Sequence, residues 1–251
     1  MTATAIYYQD LTTLRKIADV LGNKDDAENF AAQAEAIRTK FNDKLLDRQQ
    51  NLYDRGSQTA AAMPLALGMV PQEARGALID GLVANIREHA NHTTAGDIGF
   101  HYVIQALSAA GRNDVIYAMI ANPDPPSYAA QLARGATTLT EAWDTDPRSS
   151  QNHFMLGHAE EWFYRSLGGI DFDLSRPRGQ QIVLRPTVVG DISSVRASYR
   201  SVLGNIVSSW KTEGGKLVYD VEVPPNASAT VYVGGAAHQV PSGRHHFEAP
   251  L

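Results

Sequence analysis

The chain has no cysteine. A disulfide framework and a thiolate metal site are therefore excluded. At 251 residues no staple is needed, because a chain of this length buries roughly three quarters of its unfolded surface. The missing cysteine leaves the compartment open, since exported proteins often lack it too. Basic charge is also scarce: 22 lysines and arginines face 27 aspartates and glutamates, a net charge of −5. With no basic stripe to neutralise phosphates, neither nucleic acid nor an anionic membrane is an expected partner. No run approaches the roughly 18 apolar residues of a membrane-spanning helix. The N-terminal stretch MTATAIYYQDLTTLRKIADVLG lacks a basic segment leading into an apolar one and is not a signal peptide. The chain as written is expected in the cytoplasm. Three nucleotide and nucleophile motifs are missing as well: GxGxxG before a helix, GxxxxGK followed by Ser or Thr, and GxSxG.

What is present falls into two textures. Residues 1–172 are rich in Ala and Leu with helical periodicity; residues 180–251 are rich in Val, Ser, Tyr and Gly and alternate with period two. Between them GGIDFDLSRPRGQQ concentrates Gly, Pro and charge, which places the expected domain boundary there. The first part reads as about seven or eight helices in antiparallel hairpins, a bundle or a partial toroid. Expected helices run over residues 5–21, 24–46, 58–68, 72–90, 98–110, 112–121 and 152–167. Gly22 and Gly111 mark stops, and NPDPPS (122–127) is a break. The second part reads as five or six short strands in a small antiparallel β-sandwich, closed by HQVPSGRHHFEAP as a turn and tail. The fold class expected is α followed by β.

Candidate chemistry gathers in GATTLTEAWDTDPRSSQNHF, residues 135–154. Glu141 follows a small polar run and precedes Trp143. A carboxylate beside an indole suits a sugar: the ring takes the apolar face of a pyranose, while the carboxylate binds hydroxyls or activates water. The same pattern fits a loop acid beside a core ring. In Asn152-His153, an amide and a neutral imidazole can both bond sugar hydroxyls; Ser149, Ser150 and Asn152 are equally good caps for a following helix. His153 and His158 are five apart and do not share a helical face, so a metal site is not expected. Asp97, between two glycines in HTTAGDIGFHY, is either a helix N-cap or a polar group in the same cleft, with His101 and Tyr102 one turn on. Trp162, in EEW, is expected in the core.

These segments carry a resemblance. GATTLTEAW and SSQNHFMLGHAEEWFYRSLGGI resemble the bacterial α-L-rhamnosidases, and so, in order, do QTAAAMPLALGMVP, HTTAGDIGFHYVIQALSAAGR and VLRPTVVGDISSVRASYRSVLGNIVSSWK. The resemblance covers nearly the whole chain. It implies an (α/α)6 barrel followed by a C-terminal β-sandwich, and cleavage of terminal α-L-rhamnose with inversion. In inverting enzymes an acid protonates the leaving oxygen and a base activates water from carboxyls roughly 6.5–9.5 Å apart. It implies Glu141 as the general base, His153 as the sugar-binding histidine, Trp143 as the aromatic after the base, and no metal or organic cofactor. Substrate-binding candidates are thus His153, Trp143, Asn152 and Asp97.

One element of the family pattern is not found. The general acid belongs to an upstream motif with Asp, Arg, Glu and Trp, and nothing like it occurs here. The chain is therefore expected to correspond to the later barrel helices plus the sandwich: a truncated product, a split enzyme or a remnant. The partner expected is a rhamnose-containing oligosaccharide or glycoside. An open half-toroid would also leave apolar helix faces for a second copy or for a missing N-terminal segment. The competing expectation is a non-catalytic carbohydrate-binding or interaction module.

Overall fold

The computed structural model describes all 251 residues. Contacts divide it into two compact units, Met1–Gly157 and His158–Leu251.

The first unit is helical. Helices α1 (Thr2–Leu21) and α2 (Lys24–Leu45) form a hairpin that turns at Gly22, and Asp25 and Asp26 occupy the positive first turn of α2. A two-stranded ribbon too short to show a period in sequence, β1 (Leu46–Asp47) with β2 (Leu52–Tyr53), follows. Helices α3 (Gln58–Ala66), α4 (Gln72–Glu88), α5 (Asp97–Ala109) and α6 (Asn113–Ile120) come next. Ser57 caps α3, accepting from the Ala60 N–H at 3.2 Å. The NPDPPS break leads into a helix not expected from sequence, α7 (Tyr128–Ala133), whose Ser127 cap accepts from the Ala130 N–H at 3.0 Å. At six residues, α7 is too short to show a period.

The core of this unit is Met63, Leu65, Met69, Leu78, Leu82, Ile86, Leu107 and Ile116, contributed by α3 to α6 and the turn after α3. Helices α3 and α5 touch closely because of Gly99. A Cβ there would lie 2.0 Å from Thr59 Oγ1, so no other residue fits without moving α3.

The expected single helix over 152–167 is broken. Residues Phe154–Leu156 make one 3-10 turn that closes on Gly157, and α8 covers only Ala159–Trp162 before continuing as a π turn over Phe163–Leu167. The reason lies just upstream, where the Ser150 carbonyl and the His153 N–H are bonded to Glu141 and Leu139 of another segment.

The second unit holds α8, the π turn and eight strands. One sheet has the order β3 (Ile170–Phe172), β4 (Ile182–Leu184), β8 (Ala229–Val233), β9 (Ala236–Val240). The other has the order β10 (Gly243–Pro250), β7 (Lys216–Val223), β6 (Gly204–Glu213), β5 (Ser194–Ser201). Ile170, Ile182, Leu184 and Val231 from the first share one core with Ile206, Trp210, Tyr219, Val221 and Val223 from the second. This is a β-sandwich with two departures from expectation. The pair β4–β8 is parallel, in register Val183↔Thr230, so the sandwich is not purely antiparallel. The stretch expected as a turn and tail is instead two strands, β9 and β10, which pair with β8 and β7. Their exposed, polar residues hide the alternation that marks a half-buried strand.

Helix α8 and the π turn group with the sheets rather than with the preceding helices. Trp210 Nε1–H donates to the Leu167 carbonyl at 2.7 Å, and the Ser208 hydroxyl donates to the Gly168 carbonyl. Gly169, at φ 68°, would place a Cβ 2.3 Å from the Pro186 nitrogen; only glycine fits that bend. Trp162 is buried, as expected for a core ring.

Candidate active site

The polar stretch 135–154 is held by two short segments that run antiparallel. The His153 N–H donates to the Leu139 carbonyl at 2.8 Å, and the Glu141 N–H donates to the Ser150 carbonyl at 2.9 Å. The Thr138 hydroxyl donates to the Gln151 carbonyl between them. The consequence is chemical: Glu141 and His153, twelve positions apart in sequence, sit on adjoining segments of one hydrogen-bonded ribbon.

Behind Glu141 the backbone is pinned from the helix side. Gln131, on α7 and 2% exposed, donates its Nε2–H to the Thr140 carbonyl at 3.0 Å. The Thr140 hydroxyl, also buried, donates to the Ala142 carbonyl at 2.8 Å. Sequence reasoning gives no signal for Gln131, because a glutamine in an Ala- and Leu-rich helix looks like surface. The Glu141 side chain is exposed, and its Oε2 lies 3.3 Å from the Ser150 N–H.

His153 reaches α5. Its Nε2 is 2.9 Å from Asp97 Oδ2, with the imidazole 18% exposed. Asp97 is not a helix cap: Gly96 occupies that position, and Asp97 is the first helical residue. Nor do the residues offered as caps around His153 act so, since the 3-10 turn at Phe154 has no side-chain cap. Of the two residues expected one turn along α5, Tyr102 turns away. It is buried, and its hydroxyl donates to Gln9 Oε1 of α1 at 3.0 Å. His101 packs edge-on against that ring at 5.3 Å.

Trp143 is half-buried in a cluster of three rings. Its centroid lies 6.0 Å from Phe100 of α5 and 5.5 Å from Tyr128 of α7, both edge-to-face. The Tyr128 hydroxyl donates to the Leu156 carbonyl. Trp143 thus anchors the ribbon to the same helix that carries Asp97. Asn152 is exposed and contributes its backbone N–H to Ser150 Oγ at 3.4 Å. In the loop between the segments, Asp146 is bonded through both oxygens to Arg148, at 2.6 Å in the closest contact. That guanidinium holds the Asp146 carboxyl below its ordinary range. Asp144 accepts from the Asp146 N–H at 3.1 Å.

The family comparison meets this geometry. Residues 1–167 match the bacterial alpha-L-rhamnosidase 6 hairpin glycosidase domain, and residues 169–248 match the bacterial alpha-L-rhamnosidase C-terminal domain. The chain belongs to the bacterial α-L-rhamnosidase family. An alpha-L-rhamnosidase of Formosa agariphila is 30% identical over 244 residues, covering 94% of this chain and 26% of that protein. One from Streptomyces avermitilis is 29% identical over 240 residues, covering 92% of this chain and 23% of that protein. The chain therefore spans about a quarter of the length of these relatives.

Solved rhamnosidases agree on the fold. The alpha-L-rhamnosidase from Dictyoglumus thermophilum superposes with a TM-score of 0.90 at 25% identity, covering 98% of this chain and 31% of that one. The Streptomyces avermitilis enzyme complexed with L-rhamnose gives 0.90 at 27% identity, covering 98% and 26%. The helical part followed by a β-rich part is thus the rhamnosidase arrangement. No helix of the chain is long and apolar enough to cross a membrane.

Proposed function

We propose that this chain carries the general-base side of an inverting α-L-rhamnosidase site. Glu141 activates the water that attacks the anomeric carbon, His153 bonds a sugar hydroxyl, and Trp143 and Asn152 border the sugar. The observation that supports it is the ribbon 138–141/150–153, whose backbone hydrogen bonds join an exposed carboxylate and a held imidazole on adjoining segments. A base in this role must be open to water, and Glu141 is exposed. Inversion also needs a protonated acid across the ring. Asp146 does not suit that task, because Arg148 keeps it ionised.

Leaving-group chemistry gives the test. A nitrophenyl α-L-rhamnoside releases a weakly basic phenolate that departs without a proton, so its hydrolysis depends on the base alone. The expected result is turnover by the 251-residue chain that falls about 10²–10⁴-fold in Glu141→Gln. Equal rates in the two would sink Glu141 as the base.

The engagement of Asp97 with His153 and of Asp146 with Arg148 favours one second reading, a sugar-binding module without turnover. Calorimetry separates the two: binding of L-rhamnose with no hydrolysis of the nitrophenyl glycoside would establish the module.

A further inference from the structure

We infer that Asp97 is a positioning residue: it sets the tautomer and orientation of His153 and does not itself hold the sugar. Only the identity of what His153 then binds rests on the rhamnosidase reading.

Three contacts fix His153. Its N–H is bonded to the Leu139 carbonyl at 2.8 Å, its carbonyl accepts from the Leu156 N–H at 3.1 Å, and Nε2 meets Asp97 Oδ2 at 2.9 Å. An ionised carboxylate can only accept, so the ring must present Nε2–H to it. In the neutral imidazole the other nitrogen, Nδ1, is then an acceptor. A sugar hydroxyl donates readily to such a nitrogen. The opposite tautomer would turn a lone pair toward the carboxylate and give an N–H at Nδ1. Asp97 thus decides whether His153 accepts or donates toward its ligand.

The support behind Asp97 is rigid. It is the first residue of α5, where a negative side chain suits the helix N-terminus. Two residues on, Gly99 locks α5 against Thr59 with no room for a Cβ. Asp97 is 43% exposed and the imidazole 18%, so the pair is reachable from solvent on the carboxylate side while the ring is largely fixed. A group that only filled space at a helix start would have no reason to face a histidine across 56 positions of sequence.

The experiment is nitrogen-15 NMR of the histidine side chains above their ionisation range, with His153 identified among the eight histidines by the signals lost in His153→Gln. The expected result is a single Nε2–H tautomer in the native chain and a mixture of both in Asp97→Ala and Asp97→Asn, with Asp97→Glu restoring the single form. Unchanged His153 signals in Asp97→Ala, or an Nδ1–H tautomer in the native chain, would overturn the assignment. Thermal unfolding of each variant checks the fold, and Asp97→Asn, which keeps the shape, serves if Asp97→Ala unfolds. Titration with L-rhamnose reads the functional half: Asp97→Ala and Asp97→Asn are expected to bind about tenfold more weakly, the loss of one oriented hydrogen bond. Native binding undiminished in Asp97→Asn removes Asp97 from the site. A native chain that binds no L-rhamnose sinks the rhamnosidase reading instead, and the NMR result still decides the role of Asp97.

Discussion

The Glu141 N–H donates to the Ser150 carbonyl at 2.9 Å, and the Ser150 N–H points back to Glu141 Oε2 at 3.3 Å. One residue thus holds both the backbone and the carboxylate of the proposed base. Removing that N–H alone tests how much the orientation matters. Ser150→Pro is expected to lower kcat on a nitrophenyl α-L-rhamnoside about tenfold through loss of a charge-assisted bond, while Ser150→Ala stays near the native rate. Equal rates in the two variants would show that the Glu141 carboxylate needs no such guide.

The ribbon explains what could and could not be read in advance. The helices α1 to α6 show themselves because their apolar residues recur over long spans, and Gly22 stops the first where expected. The order of helices and then strands was equally visible. The candidate residues were visible one by one, as residue types, but their joining was not. Asp97 looked like a cap because aspartate before a helix usually is one, yet its carboxylate goes to His153. Asn152 and His153 read as a helix start because the apolar pattern continues to Leu167, yet the His153 N–H is bonded to the Leu139 carbonyl and not within a helix. Gln131 gave no sign, since its role depends on burial against Thr140. Strands β9 and β10 are not legible in the sequence because most of their residues face water.

Gly99 carries the close approach of α5 to α3, so its substitution tests how the Asp97 end is placed. A Cβ at 2.0 Å from Thr59 Oγ1 cannot be absorbed by a small rotation. Gly99→Ala is expected to destabilise the chain by about 1–3 kcal/mol, as overpacking does, measured by urea unfolding. Adding Thr59→Ala removes the nearest atom and should recover part of the loss. Purely additive costs in the double variant would mean the contact is not what excludes a side chain.

Stability at high pH should fall through buried tyrosines: burial raises Tyr8 and Tyr102, and raises Tyr53 and Tyr219 most. Burial pushes the Tyr53 hydroxyl from 10.0 up to about 12, and burial pushes Tyr219 up as well. Above pH 10 the unfolded chain releases these protons first and the folded chain keeps them, so stability declines as pH rises. The contribution is complete below pH 10 and is lost between pH 10 and about 12 for Tyr53. Thermal melts in that window should show the decline. Tyr53→Phe is expected to flatten it and to cost about 1–3 kcal/mol at neutral pH, because Asn42 Oδ1 loses its hydroxyl donor in a buried network. An unchanged alkaline slope in that variant would remove Tyr53 as a cause.

The division of the chain at Gly157 can be tested by cutting there. The polypeptide 158–251 keeps the Leu167 carbonyl for Trp210 Nε1, the Gly168 carbonyl for Ser208, and strand β3 beside β4. The polypeptide 180–251, which follows the composition boundary, loses all three. The longer piece is expected to unfold in one cooperative step. The shorter is expected to be less stable by several kcal/mol, since the buried indole N–H and the buried Ser208 hydroxyl lose their carbonyl partners. Equal stability of the two would make residues 158–179 dispensable to the sandwich.

Helix α1 is apolar on two sides, which a helix with a single packed face is not. Ala5, Leu11 and Ala18 are buried, while Ile6, Tyr7, Leu14, Ile17, Val20 and Leu21 are 37–87% exposed. Exposed apolar side chains gathered along one helix mark a surface that associates. The chain at rising concentration is therefore expected to self-associate in sedimentation velocity runs. Ile17→Lys combined with Leu21→Glu should return it to the monomer. The thermal midpoint should not fall, because both side chains already stand largely in water, Ile17 49% and Leu21 67% exposed. A chain that stays monomeric at every concentration would show that this face has no affinity for its own copy. A double variant that unfolds early would show instead that these residues support the core from outside.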